Sequence, residues 1–490
     1  MRMKKSICFI MAILMMATLL AGCNAGDSAG GKTLTVYTVG TEMRDSALVL
    51  GKINEILQER LGVTLEMQYA TQETYDLVLS SGEDCDIMLS ADWLNYWQIA
   101  QKGGFAEITD EELQQYAPFV WENNQDVIDF AKYEGKRYAI PKNYTYAPDR
   151  CFVARGDLMA KYGIESLDSI EDVEAFLTAV AENEPDFIPF DIPGNASWLN
   201  LSLVASDWGW QAVGSVSFGE HVYYNVDDPE RKLFIAAEQP EMLEFTKMMQ
   251  RWNQKGFFSR SVLSNKTSSL ESFKSGRSAL AFVDSPAQCN QVYQELSADD
   301  RAAWDVKFFT RYHKRQSTYN YTNSMLSIPS FSKNKEDALR VINEIEKDKE
   351  LHNLLNFGIE GTHYEVLGDG KMKVLDYEAY ANTVPMYNPE FGMEEEISFP
   401  GSDELVAKLD SMSQVEIPVN CPVVVDGIQQ EDLALTDVYN NYTAPRYYGI
   451  FEGTAEEAIA TEIEQLKIAG IDKYMAELQR QLDEYMAGIE

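Results

Sequence analysis

Thr33-Leu34-Thr35-Val36-Tyr37 alternates apolar and polar side chains, and the pattern that follows it decides the fold. Such alternation places every second residue on one face of a strand. Leu50, Ile53, Ile56, Leu57 and Leu61 then recur at helical spacing, and Gly62 stands where a left-handed C-terminal cap is wanted. Val63, Leu65, Met67 and Tyr69 alternate again. Strand, helix and strand joined this closely form a βαβ unit, which builds a parallel sheet covered by helices. The first lobe of the protein is therefore expected to be α/β.

The same rhythm continues downstream. Cys85 to Ser90 reads as a buried strand, followed by a short helix holding Trp93, Tyr96 and Trp97 that stops at Gly103-Gly104. Ser169 to Ala181 reads as a helix with Asp172 and Glu174 near its N-terminus, where the helix dipole favours them. Glu238 to Lys255 and Lys333 to Lys347 read as further helices, and Ser278 to Val283 as a short apolar strand. Thr454 to Met486 is one long helical pattern broken near Gly470. Beyond the break, Ile471, Tyr474, Met475, Leu478, Leu482, Tyr485 and Met486 form a stripe that should dock on its own domain.

Upstream of Thr33 the residues read as an address. Arg2, Lys4 and Lys5 precede an apolar run from Ile7 to Leu20, which is shorter than the roughly 20 residues a membrane span needs. The run ends in Leu20-Ala21-Gly22-Cys23, which resembles a bacterial lipobox with Cys23 as the acylated residue; an ordinary secretory signal is the alternative. Residues 1–23 are thus expected to be a lipoprotein signal peptide, and 24–32, rich in Gly, Ser and Ala, a flexible tether. The rest is long enough for two or three domains. The chain's formal charge of −37 repels phosphate backbones and argues against nucleic acid as a partner.

No enzyme motif stands out. There is no His-Glu-x-x-His, no phosphate-cradling glycine loop, and no Gly-x-Ser-x-Gly outside the expected tether, where Gly26-Asp27-Ser28-Ala29-Gly30 stands. The histidines, His221, His313, His352 and His363, are scattered without metal-ligand spacing, so neither a metal nor another cofactor is expected. Cys85, Cys151, Cys289 and Cys421 make no Cys-x-x-Cys pair and are read as buried thiols, with two disulfides arithmetically possible.

Several segments together resemble the extracellular solute-binding proteins of carbohydrate ABC importers, the maltose-binding-protein-like superfamily. They are Asp86-Ile87 with Trp93, Tyr96 and Gly103-Gly104-Phe105; Gly135 to Pro141; Phe152 to Gly163; Phe273 to Phe282; and Ser327 to Lys349. Phe357 to Tyr364 and Gly470 to Tyr485 are similar to a narrower branch, the LipO-like lipoproteins. One departure is Ala287 after Pro286, where relatives often carry a tryptophan.

The resemblance implies a type II periplasmic-binding-protein fold, α/β throughout. Its two lobes are joined by a hinge, the ligand cleft lies between them, and a helical C-terminal extension follows. Residues 33–148 and 284–328 are expected to form the first lobe, and 149–283 with 329–490 the second. The implied function is capture of an extracellular carbohydrate, an oligosaccharide, for delivery to membrane permease subunits. The protein would be a monomer without catalytic residues, on the outer face of a Gram-positive cell membrane, held there by its lipid anchor. Expected ligand contacts are Asp92, Trp93, Tyr144, Tyr146, Asp149, Arg150, Trp198, Trp208, Trp210, Asp284, Tyr321, Asn323 and Glu360. A surface glycoside hydrolase, needing only two carboxylates, and a binding protein for a peptide or other small solute remain the alternatives.

Overall fold

A computed structural model describes residues 31–489 apart from 76, 82–83, 145–149, 206, 214–220, 311–314 and 416–420. The opening βαβ unit forms as its pattern requires. Lys32–Val39 and Val63–Ala70 run parallel with Leu34 opposite Leu65, and the helix Ser46–Leu61 between them buries Val49, Ile53 and Leu57. Gly62 ends that helix at φ 71° and returns its N–H to the Gln58 carbonyl. Asn54 ties the helix to the sheet, bonding both the N–H and the carbonyl of Leu65. Ile87–Ser90 extends the sheet, and Met325–Ser327 joins it antiparallel, followed by Ala139–Pro141 at the edge. The hydroxyls of Ser90 and Ser327 bond at 2.7 Å across that central join.

A second sheet has the order Lys307–Thr310, Cys151–Ala154, Ser278–Val283, Ile188–Phe190. A small antiparallel sheet of Trp210–Ala212, Val222–Asn225 and Phe234–Ile235 stands beside it. The C-terminal helices Gln429–Val438, Ala455–Ile468 and Ile471–Ile489 cover that small sheet. Leu435, Val438, Leu466, Ile471 and Leu478 pack against Val222 and Ile235, so the predicted stripe docks on its own lobe. Cys85, Cys151, Cys289 and Cys421 are all buried and not disulfide-bonded.

Two of the expected lobe boundaries move. Lys307–Thr310, placed by sequence in the first lobe, pairs with Cys151–Ala154 in the second, with Phe309 opposite Phe152. The helices Lys335–Lys347 and Lys349–Phe357, placed in the second lobe, belong to the first. Their Leu339, Ile342, Ile345, Leu351 and Leu355 share one core with Leu34, Val36, Ile53 and Leu57. The reason is reach: Met325–Ser327 is hydrogen-bonded inside the first sheet, and the short link to Lys335 keeps the next helix beside it. The chain returns to the second lobe between Met386, in the first core, and Phe399, which packs with Cys151 and Val283.

Candidate functional site

Beyond the C-terminal end of Ile87–Ser90 the chain turns into a single 3-10 turn, Asp92–Leu94, closed by Asn95 at φ 56°. Residues leaving the carboxyl end of a sheet strand are where open α/β folds collect ligands. Asp92 accepts the Trp93 N–H on Oδ1 at 2.7 Å, which fixes the turn. The Trp93 indole donates through Nε1 to the Asn323 carbonyl at 2.8 Å, yet the residue stays 38% exposed. Tyr321, two residues before Asn323, stacks on Phe130 with centroids 5.1 Å apart. The structure thus brings Asp92, Trp93, Tyr321 and Asn323 together on the first lobe.

Oδ2 of Asp92 is shut off from solvent without a hydrogen bond of ordinary geometry. Burial pushes this carboxyl up to about 6, opposed by the Trp93 N–H and by the nearby side chains of Asn320 and Thr322. Its unfolded value is about 3.9. A group raised on folding contributes stability that is fully present below the unfolded pKa. That contribution is lost as pH rises, here from about 4 to about 6. Asp92→Asn is therefore expected to stabilise the ligand-free protein at pH 7 by up to about 3 kcal/mol and to leave it unchanged at pH 4. Thermal denaturation at both pH values checks this; an equal gain at both would assign it to packing instead of charge.

The second lobe offers a separate group. Arg150 is buried at the start of Cys151–Ala154, donates through Nε to Asp284 at 3.3 Å, and holds its guanidinium 5.3 Å from the Trp198 ring centroid. Trp198 itself is partly buried against the second-lobe core, so its faces are largely taken. Trp208 packs on the same core, its ring 4.8 Å from Trp210. Trp210 is a core residue between Tyr223 and Phe234, because Trp210–Ala212 is hydrogen-bonded into the small sheet. Tyr144 sits at the first crossing, its ring 4.7 Å from Tyr387 and 4.6 Å from the ammonium of Lys142. Burial pushes that ammonium down to about 8. Tyr146 and Asp149 lie outside the described residues, as does Cys23. Glu360 is not brought to the others: it is exposed in a different groove, of about 600 Å³, with Lys52, Asn353 and Tyr364.

A cavity of about 360 Å³ opens between the lobes. Asp92, Trp93, Trp97 and Gln98 line it from the first lobe, and Asp432, Thr436, Tyr474 and Leu478 from the C-terminal helices. Burial raises the Asp432 carboxyl, and a hydrogen bond from the Tyr474 hydroxyl offsets part of the rise. Trp97 is 3% exposed and its Nε1 has no hydrogen-bond partner. Sequence reasoning passed over Trp97 and Tyr474, whose apolar helical spacing explains them as packing, and did not single out the helix Gln429–Val438 that carries Asp432 and Thr436. Among the described residues no cluster of His, Cys, Asp and Glu is placed to hold a metal, and no helix is long and apolar enough to cross a membrane.

Solved structures share this fold over nearly the whole chain. The N-glycan transport solute binding protein NgtS of Streptococcus pneumoniae in complex with Man1GlcNAc superposes with a TM-score of 0.71 at 22% identity, covering 93% of this chain and 100% of that one. The alginate-binding protein AlgQ2 superposes with a TM-score of 0.68 at 15% identity, covering 93% and 99%. The chain has the two-lobed solute-binding-protein fold. Among curated proteins, the chain is 24% identical to a carbohydrate ABC transporter substrate-binding protein of Streptococcus pneumoniae, over 97% of each chain. It is 21% identical to lipoprotein LipO of Bacillus subtilis, over 75% of each. A family model described as a domain of unknown function, DUF3502, matches residues 425–487, the C-terminal helices.

Proposed function

We propose that this protein is the substrate-binding lipoprotein of an ABC importer, taking an extracellular oligosaccharide into the cleft between its lobes. The observation that carries the proposal is the interlobe cavity. It combines an exposed, hydrogen-bond-anchored indole, Trp93, with the carboxyls of Asp92 and Asp432 and the hydroxyls of Thr436 and Tyr474. Sugars need both kinds of group: C–H faces stack on aromatic rings, and hydroxyls seek polar partners. The names of the full-length relatives support the same reading, a carbohydrate substrate-binding protein and an N-glycan transport protein. A ligand touching both lobes favours the closed form by its differential affinity for that form. The protein works as a monomer, hands its sugar on unchanged to permease subunits, and is held at the outer face of the membrane by acyl chains on Cys23.

The test is a thermal-shift screen of the unlipidated chain against Man5GlcNAc, kestose, alginate oligomers and peptides, with product analysis of each hit. A carbohydrate that raises the melting temperature and is recovered intact is the expected result. Cleavage of the hit would convert the Asp92–Asp432 pairing into a hydrolase site. Stabilisation by peptides alone would overturn the sugar.

A further inference from the structure

The C-terminal helices do more than cover the small sheet. In Gln429–Val438, Asp432 and Thr436 are one turn apart, and so are Tyr474 and Leu478 in Ile471–Ile489. Residues at this spacing share a helix face, and all of these line the cavity opposite Asp92 and Trp97. The docking of the helices is carried chiefly by Leu435, Val438, Leu466, Ile471 and Leu478. Asp432 and Thr436 take no part in that apolar contact, and Tyr474, packed at its edge, turns its hydroxyl to the Asp432 carboxyl. The same helical unit meets the first lobe a second time, where Glu477, Arg480 and Tyr485 face Tyr133 and Glu134 across a concavity of about 510 Å³.

Across the cavity two polar groups are poorly met: Trp97 Nε1 is a buried donor without an acceptor, and Asp92 Oδ2 a buried acceptor without a hydrogen bond of ordinary geometry. Native interiors rarely leave such groups orphaned. A sugar hydroxyl both donates and accepts, so one neutral polyol can satisfy groups of both kinds. Carboxyls on both walls, Asp92 and Asp432, oppose an anionic ligand. The cavity is at the small end of the roughly 300–1,000 Å³ of small-molecule sites, suiting the end of an oligosaccharide better than its whole length.

We infer that the C-terminal helical unit, the segment a family model describes as a domain of unknown function, is the specificity wall of the site. Asp432, Thr436 and Tyr474 hold the terminal residue of a neutral oligosaccharide against Asp92 and Trp97, and the paired carboxyls turn uronates away. This rests on the carbohydrate reading above, and the experiment separates the two. Calorimetric titration of the full mature chain uses Man5GlcNAc and kestose as neutral probes and an alginate trisaccharide as the anionic one. Thr436→Val, Tyr474→Phe and Asp432→Asn are compared with Leu433→Ala, a control on the same helix whose side chain is 68% exposed. The cavity variants should each weaken a neutral probe roughly tenfold, with melting temperatures near the parent's, while Leu433→Ala binds as the parent does. Asp432→Asn should also gain measurable alginate binding. A parent that binds a neutral probe, with all three cavity variants within twofold of it, overturns the wall and leaves the carbohydrate reading standing. A parent preferring alginate overturns the selectivity. A parent that binds none of the probes overturns both.

Discussion

Trp93→Ala should weaken oligosaccharide binding roughly 30–100-fold while scarcely moving the melting temperature of the ligand-free protein. Covering about 100 Å² of sugar face with an indole is worth roughly 2–3 kcal/mol at about 25 cal/mol per Å², and 1.4 kcal/mol is about tenfold in affinity. The Trp93 ring is ready for that contact before the ligand arrives. Its Nε1 is bonded to the Asn323 carbonyl and its backbone N–H to Asp92, so little side-chain freedom remains to be lost on binding. Because the residue is substantially exposed, removing the ring forfeits little core packing. Trp93→Phe keeps an aromatic face but loses the tether to Asn323, and its affinity should fall between parent and alanine. Trp198→Ala supplies the contrast. That ring lies on the second-lobe core under the Arg150 guanidinium, so its loss should lower the melting temperature more than the affinity. Titration calorimetry beside thermal denaturation reads both quantities. Affinity of Trp93→Ala within threefold of the parent would remove this ring from the site.

That contrast shows where sequence stops being informative. Trp93 and Trp198 look alike as letters, each beside a polar residue near a helix start. What separates them is which face each helix turns to its core, and that depends on the partners a strand finds. The opening βαβ unit was legible because its partners are close in sequence and its periodicity is strict; Leu34 meets Leu65 as alternation demands. The lobe boundaries were not, since Lys307–Thr310 is apolar enough for either sheet and only its pairing with Cys151–Ala154 decides. Asp92 and Trp93 could be proposed from their place beyond a parallel strand, and Tyr321 and Asn323 separately as residues preceding a crossing between the lobes; the structure brings the two pairs together. Tyr474 could not be distinguished, because it lies on a stripe whose other members, Ile471 and Leu478, are plainly packing residues. A tyrosine at the edge of such a stripe reads as core until the opposite lobe is in view.

Arg446→Met should cost about 3–5 kcal/mol of stability at neutral pH, because it strands a buried carboxylate without its partner. Arg446 is buried, donating to both carboxylate oxygens of Glu462 at 2.5 and 3.0 Å and to the Thr246 hydroxyl at 2.8 Å. Glu462 also accepts the Thr443 hydroxyl at 3.0 Å. The cluster joins the helices Pro240–Gln254 and Ala455–Ile468, and so anchors the C-terminal unit to the second lobe. Burial alone would raise the Glu462 carboxyl; the charge and hydrogen bonds of Arg446 outweigh it, and the carboxyl ends below its ordinary value. In the parent this pairing contributes stability above the unfolded carboxyl pKa, lost as pH falls through the lower folded value. Without Arg446 the balance reverses: the carboxyl is raised, and its contribution is present at acid pH and lost as pH rises. The gap between the parent and Arg446→Met should therefore narrow steadily as pH falls through the carboxylate range and be widest above pH 7, measured as denaturation midpoints. Adding Glu462→Leu to Arg446→Met removes the stranded carboxylate and should recover most of the loss at neutral pH, as replacing a whole buried pair often does. A single variant whose deficit is the same at pH 4.5 and pH 8 would mean that Arg446 acts through packing against Tyr447, its ring 4.9 Å away, and not through its charge.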